Sequence, residues 1–153
     1  MPPHQDTSFL YTDPPSAVGF WIALEDATRE NGCLGFMGGS HRRAPVRKRF
    51  VRMEEGGTGF VDVRGRRFPR GEEVEDERVE GDEGEEEYTF GEVKAGTLVL
   101  IHGNLLHKSE RNTSGKSRFV YTFHVIEGEN KYDERNWLQP PEEGFTRLYQ
   151  DGL

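Results

Sequence analysis

Val18-Gly19-Phe20-Trp21-Ile22-Ala23-Leu24 and, far along the chain, Phe119-Val120-Tyr121-Thr122-Phe123-His124-Val125-Ile126 are the runs that decide the fold. Side chains alternate across a strand, so Phe20, Ile22 and Leu24 share one face and Trp21 and Ala23 the other. Apolar residues on both faces predict burial on both sides. The later run alternates more sharply: Phe119, Tyr121, Phe123 and Val125 fall on one face, Arg118, Val120, Thr122 and His124 on the other. Between them, Leu34 to Met37 reads as a short strand and Thr97 to Ile101 as a buried one. Leu105-Leu106-His107 reads as a continuation of that buried region past Gly103-Asn104. Turns are marked by Asn31-Gly32, Gly38-Gly39, Ala95-Gly96 and Asn112 to Gly115. The tail from Glu127, with Trp137, Leu138 and Pro140-Pro141, is expected to pack over the core as loop and one short helix. Short strands between glycine turns, with 19 Gly and 8 Pro in the chain, predict a mainly β fold, a sandwich or jelly roll.

The 153 residues fit one domain, and a formal charge of −8 argues against a nucleic-acid partner. Cys33 is the single cysteine, which excludes an intrachain disulfide and suits small buried packing. No apolar run approaches the roughly 20 residues that cross a bilayer. The start lacks the basic and apolar regions of a secretory signal, and Asp151-Gly152-Leu153 is not the Ser-Lys-Leu peroxisomal address. The expectation is a cytoplasmic protein with no membrane or nucleic-acid partner and no known protein partner, acting on a small molecule. Arg42, Arg43, Arg47, Lys48, Arg49 and Arg52 belong to a basic block. A solvated face is favoured for them over contact with an anionic substrate. Residues 71–92 are expected to be a mobile acidic insertion, too poor in apolar residues to order itself.

His4-Gln5-Asp6 carries the chemistry. On an extended segment residues i and i+2 point the same way, so His4 and Asp6 can meet one ion. With one further imidazole they form a two-His-one-carboxylate facial triad suited to Fe(II), leaving three positions open. His107 and His102 both lie near the end of the expected buried strand. A hairpin around Asn112 to Gly115 would return Arg118 beside His107. There a guanidinium could hold the far carboxylate of a chelating 2-oxo acid through two parallel hydrogen bonds. His41 reads as a turn residue, with a substrate-facing role as the alternative, and His124 as core or pocket wall.

Several stretches together resemble the phytanoyl-CoA dioxygenase (PhyH) family. They are His4-Gln5-Asp6 through Leu10-Tyr11-Thr12, Trp21 to Ala27, Glu30 to Leu34, Gly39-Ser40-His41, Leu98 to Gly103, His107-Lys108-Ser109 to Arg118, Tyr121 to His124, and Asn136 to Pro140. The resemblance implies a double-stranded β-helix (jelly roll, cupin-like) with Fe(II) held by His4, Asp6 and His107. It implies 2-oxoglutarate and O₂ as cosubstrates, with Arg118, Trp21 and Gln5 as cosubstrate contacts. His102 does not fit the family's spacing to Arg118. The implied reaction is hydroxylation of a C–H bond coupled to decarboxylation of 2-oxoglutarate. Asp6 argues against the related halogenases, which carry a small residue there. Gly38-Gly39-Ser40-His41 departs from the family's usual Pro-Gly-Ser-His. Family members also carry a long region before the His-x-Asp motif, including barrel strands. Residues 1–153 are therefore expected to be the C-terminal catalytic part of the domain, incomplete at the N-terminus. His4, three residues from the start, is expected to be hard to hold. The alternative to an active oxygenase is a truncated, non-catalytic domain with weak or absent iron binding.

Overall fold

A computed structural model of the chain describes residues 1–63 and 88–149. The acidic insertion expected over 71–92 lies outside the described residues up to residue 87. Its end does not: Thr89–Gly91 is a strand. The strands are β1 (Thr12–Asp13), β2 (Val18–Ala23), β3 (Leu34–Phe36), β4 (Lys48–Arg52), β5 (Thr58–Asp62), β6 (Thr89–Gly91), β7 (Leu98–His102), β8 (His107–Ser109), β9 (Val120–Val125) and β10 (Lys131–Tyr132). One helical turn, α1 (Ser40–Arg43), and a 3-10 turn at Asp6–Ser8 complete the described elements. No helix among the described residues is long and apolar enough to cross a membrane.

Two antiparallel sheets, ordered β7-β2-β9 and β6-β3-β8, form the body of the fold. Passing along the chain, β2 lies in the first sheet, β3 and β6 in the second, β7 in the first, β8 in the second and β9 in the first. This shuttling between layers makes the fold a mainly β jelly roll. Trp21, Ala23, Ile101, Leu34, Ala27 and Cys33 pack together between the layers, flanked by Val99, Val120, Phe90 and Leu105. β-branched and aromatic residues dominate β2, β7 and β9, which suits a pleated, half-buried surface.

The two deciding runs are strands, but their burial differs from expectation. In β2, Gly19, Trp21 and Ala23 are buried, whereas Val18, Phe20 and Ile22 are only half-buried. Only one face is covered, so the expected burial on both sides is corrected. In β9 the aromatic face points outward: Tyr121 is 57% exposed and Phe123 37%, the latter stacked on Phe20 at 4.8 Å. The more polar face, with Val120, Thr122 and His124, lies opposite Ala23, Trp21 and Gly19, on the side that carries the candidate site.

Two connections also differ. Leu105-Leu106-His107 does not extend β7, because the chain changes sheets at Gly103. A Cβ there would stand 2.5 Å from the Ala17 carbonyl and from Thr7 Oγ1, so the crossing needs glycine. β8 and β9 lie in different sheets and do not form the expected hairpin, so Arg118 is not brought back along β8. The Asn31-Gly32 turn does form. Thr28 N–H donates to Asn31 Oδ1 at 2.8 Å, and Gly32 adopts φ 79°. In the tail, β10 pairs with β1 and no helix forms among the described residues. The basic block divides: Arg42, Arg43, Lys48 and Arg52 are exposed. Arg49, also expected on the solvated face, is buried between Asp133 (2.8 Å) and Asn136 (3.2 Å).

Candidate metal centre

His4 and His107 face each other across an antiparallel bridge in which both backbone bonds are exchanged, at 3.0 and 3.1 Å. Their rings are held 4.2 Å apart between centroids. Met1 and Ser109 also exchange backbone bonds, at 3.0 and 3.2 Å. Residues 1–4 therefore run along β8, which gives His4 an anchorage that the sequence reading did not foresee. Gln5 is extended (φ −117°, ψ 129°), and the chain turns at once into the 3-10 turn at Asp6. That single extended residue brings Asp6 to the side occupied by His4. On the other side of the bridge, Ser40 Oγ accepts from Leu106 N–H at 2.9 Å and fixes the entry to β8.

The ring nitrogens are sorted by their backbone partners. His4 Nδ1 lies 2.9 Å from the Pro2 carbonyl, and His107 Nδ1 lies 2.9 Å from the Leu105 carbonyl. A carbonyl only accepts, so each Nδ1 carries the proton and each Nε2 keeps its lone pair for a metal. Those two Nε2 atoms lie 3.5 and 3.6 Å from the same oxygen, Asp6 Oδ1. Cis donors about 2.1 Å from one ion stand about 3 Å apart, so slight closure would seat one. Among the described residues, His4, Asp6 and His107 are the group able to hold a metal, with donor atoms all within 4.8 Å. Two neutral imidazoles and a carboxylate fit Fe(II) with an open face.

Burial disfavours the charged form of Asp6. The contact with His124, the contact with His4 and, whenever His107 is protonated, its charge outweigh it and hold the carboxyl far below the usual carboxylate range. Burial also opposes a proton on His4, but Asp6 and the Pro2 carbonyl raise its pKa above the ordinary value. For His107 burial prevails and the pKa falls. His124 is a participant that the sequence reading set down as core or pocket wall. Its Nε2 lies 3.1 Å from Asp6 Oδ2, the oxygen turned away from the histidine pair. Its position on the same strand face as Arg118 was the available signal.

Arg118 lies at the start of β9. Its Nε donates to the Asn31 carbonyl at 3.1 Å, and its guanidinium carbon stands 5.3 Å from the centre of the Trp21 ring. Its Nη1 is buried without a hydrogen-bond partner, an orphaned donor suited to a carboxylate. Trp21 is 7% exposed and belongs to the core as well as to this contact. Gln5, expected among the cosubstrate contacts, instead donates both amide hydrogens to backbone carbonyls, Ala44 at 3.2 Å and Asn104 at 2.8 Å. His102 projects to the opposite sheet face from Ile101. It meets His41 at 5.1 Å, and its Nδ1 accepts from Asn104 N–H.

The profile of the phytanoyl-CoA dioxygenase (PhyH) family matches residues 1–120. Phytanoyl-CoA dioxygenase domain-containing protein 1 of Danio rerio is 45% identical over 150 residues, covering 96% of this chain and 47% of the relative. The Bos taurus protein of that name is 46% identical over the same share of each chain. Phytanoyl-CoA dioxygenase of Arabidopsis thaliana is 42% identical, covering 90% of this chain and 42% of the relative. The chain thus spans about half the length of these relatives. Among solved structures, the non-haem α-ketoglutarate-dependent carbocyclase SnoK superposes with a TM-score of 0.57 at 22% identity, covering 90% of this chain and 47% of SnoK. The epimerase SnoN, in complex with Fe3+, α-ketoglutarate and nogalamycin RO, gives 0.54 at 20%, covering 86% and 43%. These two likenesses establish the shared fold. The match that runs from the His-x-Asp tripeptide to the first residue of β9, taking in all three candidate donors, makes the chain a member of the phytanoyl-CoA dioxygenase (PhyH) family.

Proposed function

We propose that this chain carries the catalytic centre of an Fe(II)- and 2-oxoglutarate-dependent dioxygenase that hydroxylates a small organic molecule. The observation that carries this reading is the sorting of the imidazoles. Both Nδ1 atoms are tied to backbone carbonyls, and both Nε2 atoms converge on one oxygen of a buried Asp6. A structural histidine pair has no need to aim two lone pairs at one carboxylate. His4, Asp6 and His107 would hold one face of the ion and leave three positions open. Fe(II), 2-oxoglutarate and O₂ together supply oxidative decarboxylation coupled to insertion of oxygen into a C–H bond.

The protein's part is positioning. Along β9 the face that meets the site runs from His124, beside Asp6, through Thr122 and Val120 towards Arg118. Gly19, Trp21 and Ala23 of β2 run alongside in register. Arg118, with Nη1 unpartnered, would meet the far carboxylate of 2-oxoglutarate, with Trp21 beside the guanidinium. SnoN, a structural relative, binds Fe3+ and α-ketoglutarate, in keeping with that division of labour. Anaerobic titration of the 153-residue chain should show one Fe(II) bound per chain, and with O₂ it should convert 2-oxoglutarate to succinate. Substituting His4, Asp6 or His107 with Ala should abolish both. A chain that binds no Fe(II) would overturn the reading in favour of a non-catalytic domain.

A further inference from the structure

Asp6 presents its two oxygens to different partners. Oδ1 lies 3.5 and 3.6 Å from the Nε2 atoms of His4 and His107, whereas Oδ2 lies 3.1 Å from Nε2 of His124. The contact has been given room. His124 is opposite Gly19 in the β2–β9 register, and a Cβ on Gly19 would stand 3.1 Å from Oδ2 and 3.4 Å from the His124 ring. Any other residue at position 19 would crowd the pair.

We infer that His124 is a positioning residue of the metal centre. Its Nε2–H holds the Asp6 oxygen that the metal does not use, so that Asp6 serves as a one-oxygen ligand. This rests on the iron reading above. A carboxylate with both oxygens free can swing and chelate through both. Chelation would take a fourth position of an octahedral ion. A two-point 2-oxo acid would then fill the remainder and leave no place for O₂. With Oδ2 held by His124, the triad occupies three positions only. His124 touches neither cosubstrate nor ion in this role; it acts through Asp6, as outer partners of metal ligands do.

The test uses the whole chain with Co(II), which reports binding and coordination through its visible spectrum without redox chemistry. His124→Leu removes the donor, whereas His124→Gln can return an amide N–H to nearly the same place. The Leu variant should shift the Co(II) spectrum, because a freed Asp6 can chelate through both oxygens, and the Gln variant should regain the native spectrum. In the wild type, ¹⁵N NMR of the imidazoles should show His124 protonated at Nε2, a measurement that needs no variant to fold. A Leu spectrum identical to that of wild type, a Gln spectrum like that of Leu, or a His124 protonated only at Nδ1 would each overturn the inference. Wild type that binds no Co(II) would remove the metal site itself, and this role with it.

Discussion

Gln5 sits between two candidate metal donors yet faces away from both. Its amide caps the Ala44 and Asn104 carbonyls in a buried position. Gln5→Ala would leave both acceptors without that donor, at a cost of about 1–3 kcal/mol. Thermal unfolding should therefore shift down while the Michaelis constant for 2-oxoglutarate stays unchanged; the reverse pattern would return Gln5 to the cosubstrate site. Arg118 makes the opposite prediction. Arg118→Ala should raise the Michaelis constant for 2-oxoglutarate with a smaller effect on turnover, and Arg118→Lys should recover it only in part, because a point charge lacks the guanidinium fork. The residues differ in how legible they were. His4 and Asp6 were readable because donor type and i, i+2 spacing state their chemistry directly. The same rule sends Gln5 the other way, so its bracing role was latent in the reading that grouped its neighbours. His124 shares a strand face with Arg118, but its partner lies 118 positions earlier in the chain, between Asp6 and His124. No local pattern encodes that meeting.

At the scale of elements, β4 is tied to the tail by a buried polar knot rather than by a ladder alone. Arg49 donates to Asp133 and Asn136 and lies over the Tyr11 ring at 4.3 Å, while the fully buried Asn136 donates to the Tyr11 carbonyl. The Arg49 hydrogen bond holds the Asp133 carboxyl below its ordinary range. A depressed folded pKa contributes stability that is fully present above the unfolded value of about 3.9 and is lost as pH falls through the folded pKa. Urea unfolding should therefore show Asp133→Asn less stable than wild type at neutral pH, with the gap closing below about pH 4. A gap that persists unchanged in acid would mean that the charge pair contributes nothing. Alternation made β2, β3, β7 and β9 legible, but not β1, β4, β5, β6 and β10, and not the assignment of strands to layers. Leu105 to His107 reads as one apolar continuation of β7. The close approach of Gly103 to Ala17 and Thr7 is what turns the chain into the other sheet, and a lone glycine in an apolar run was its only trace.

For the molecule as a whole, the outer face of the β7-β2-β9 sheet is the feature with physical consequences beyond the site. Leu98 is 49% exposed, Leu100 59% and Tyr121 57%, and Phe20 and Phe123 stack beside them. The register places these side chains on the face opposite Trp21 and Ile101, so the patch is separated from the candidate metal centre by the thickness of the sheet. A contiguous apolar surface of this kind favours association. The chain's formal charge of −8 opposes it through mutual repulsion, a term that salt weakens, with a screening length of about 10 Å at 0.1 M. Sedimentation of the 153-residue chain should therefore show association that grows with protein concentration and with salt. Replacing Leu98 and Leu100 together with Glu adds charge to the patch and removes its largest exposed aliphatic groups. That double variant should sediment as a monomer at every salt concentration while keeping its Co(II) affinity. If the wild type is already monomeric in high salt, the aromatic stack covers the surface well enough by itself. If the double variant loses metal binding, the two faces of the sheet are coupled through the β2 backbone, and the site and the surface are not separate.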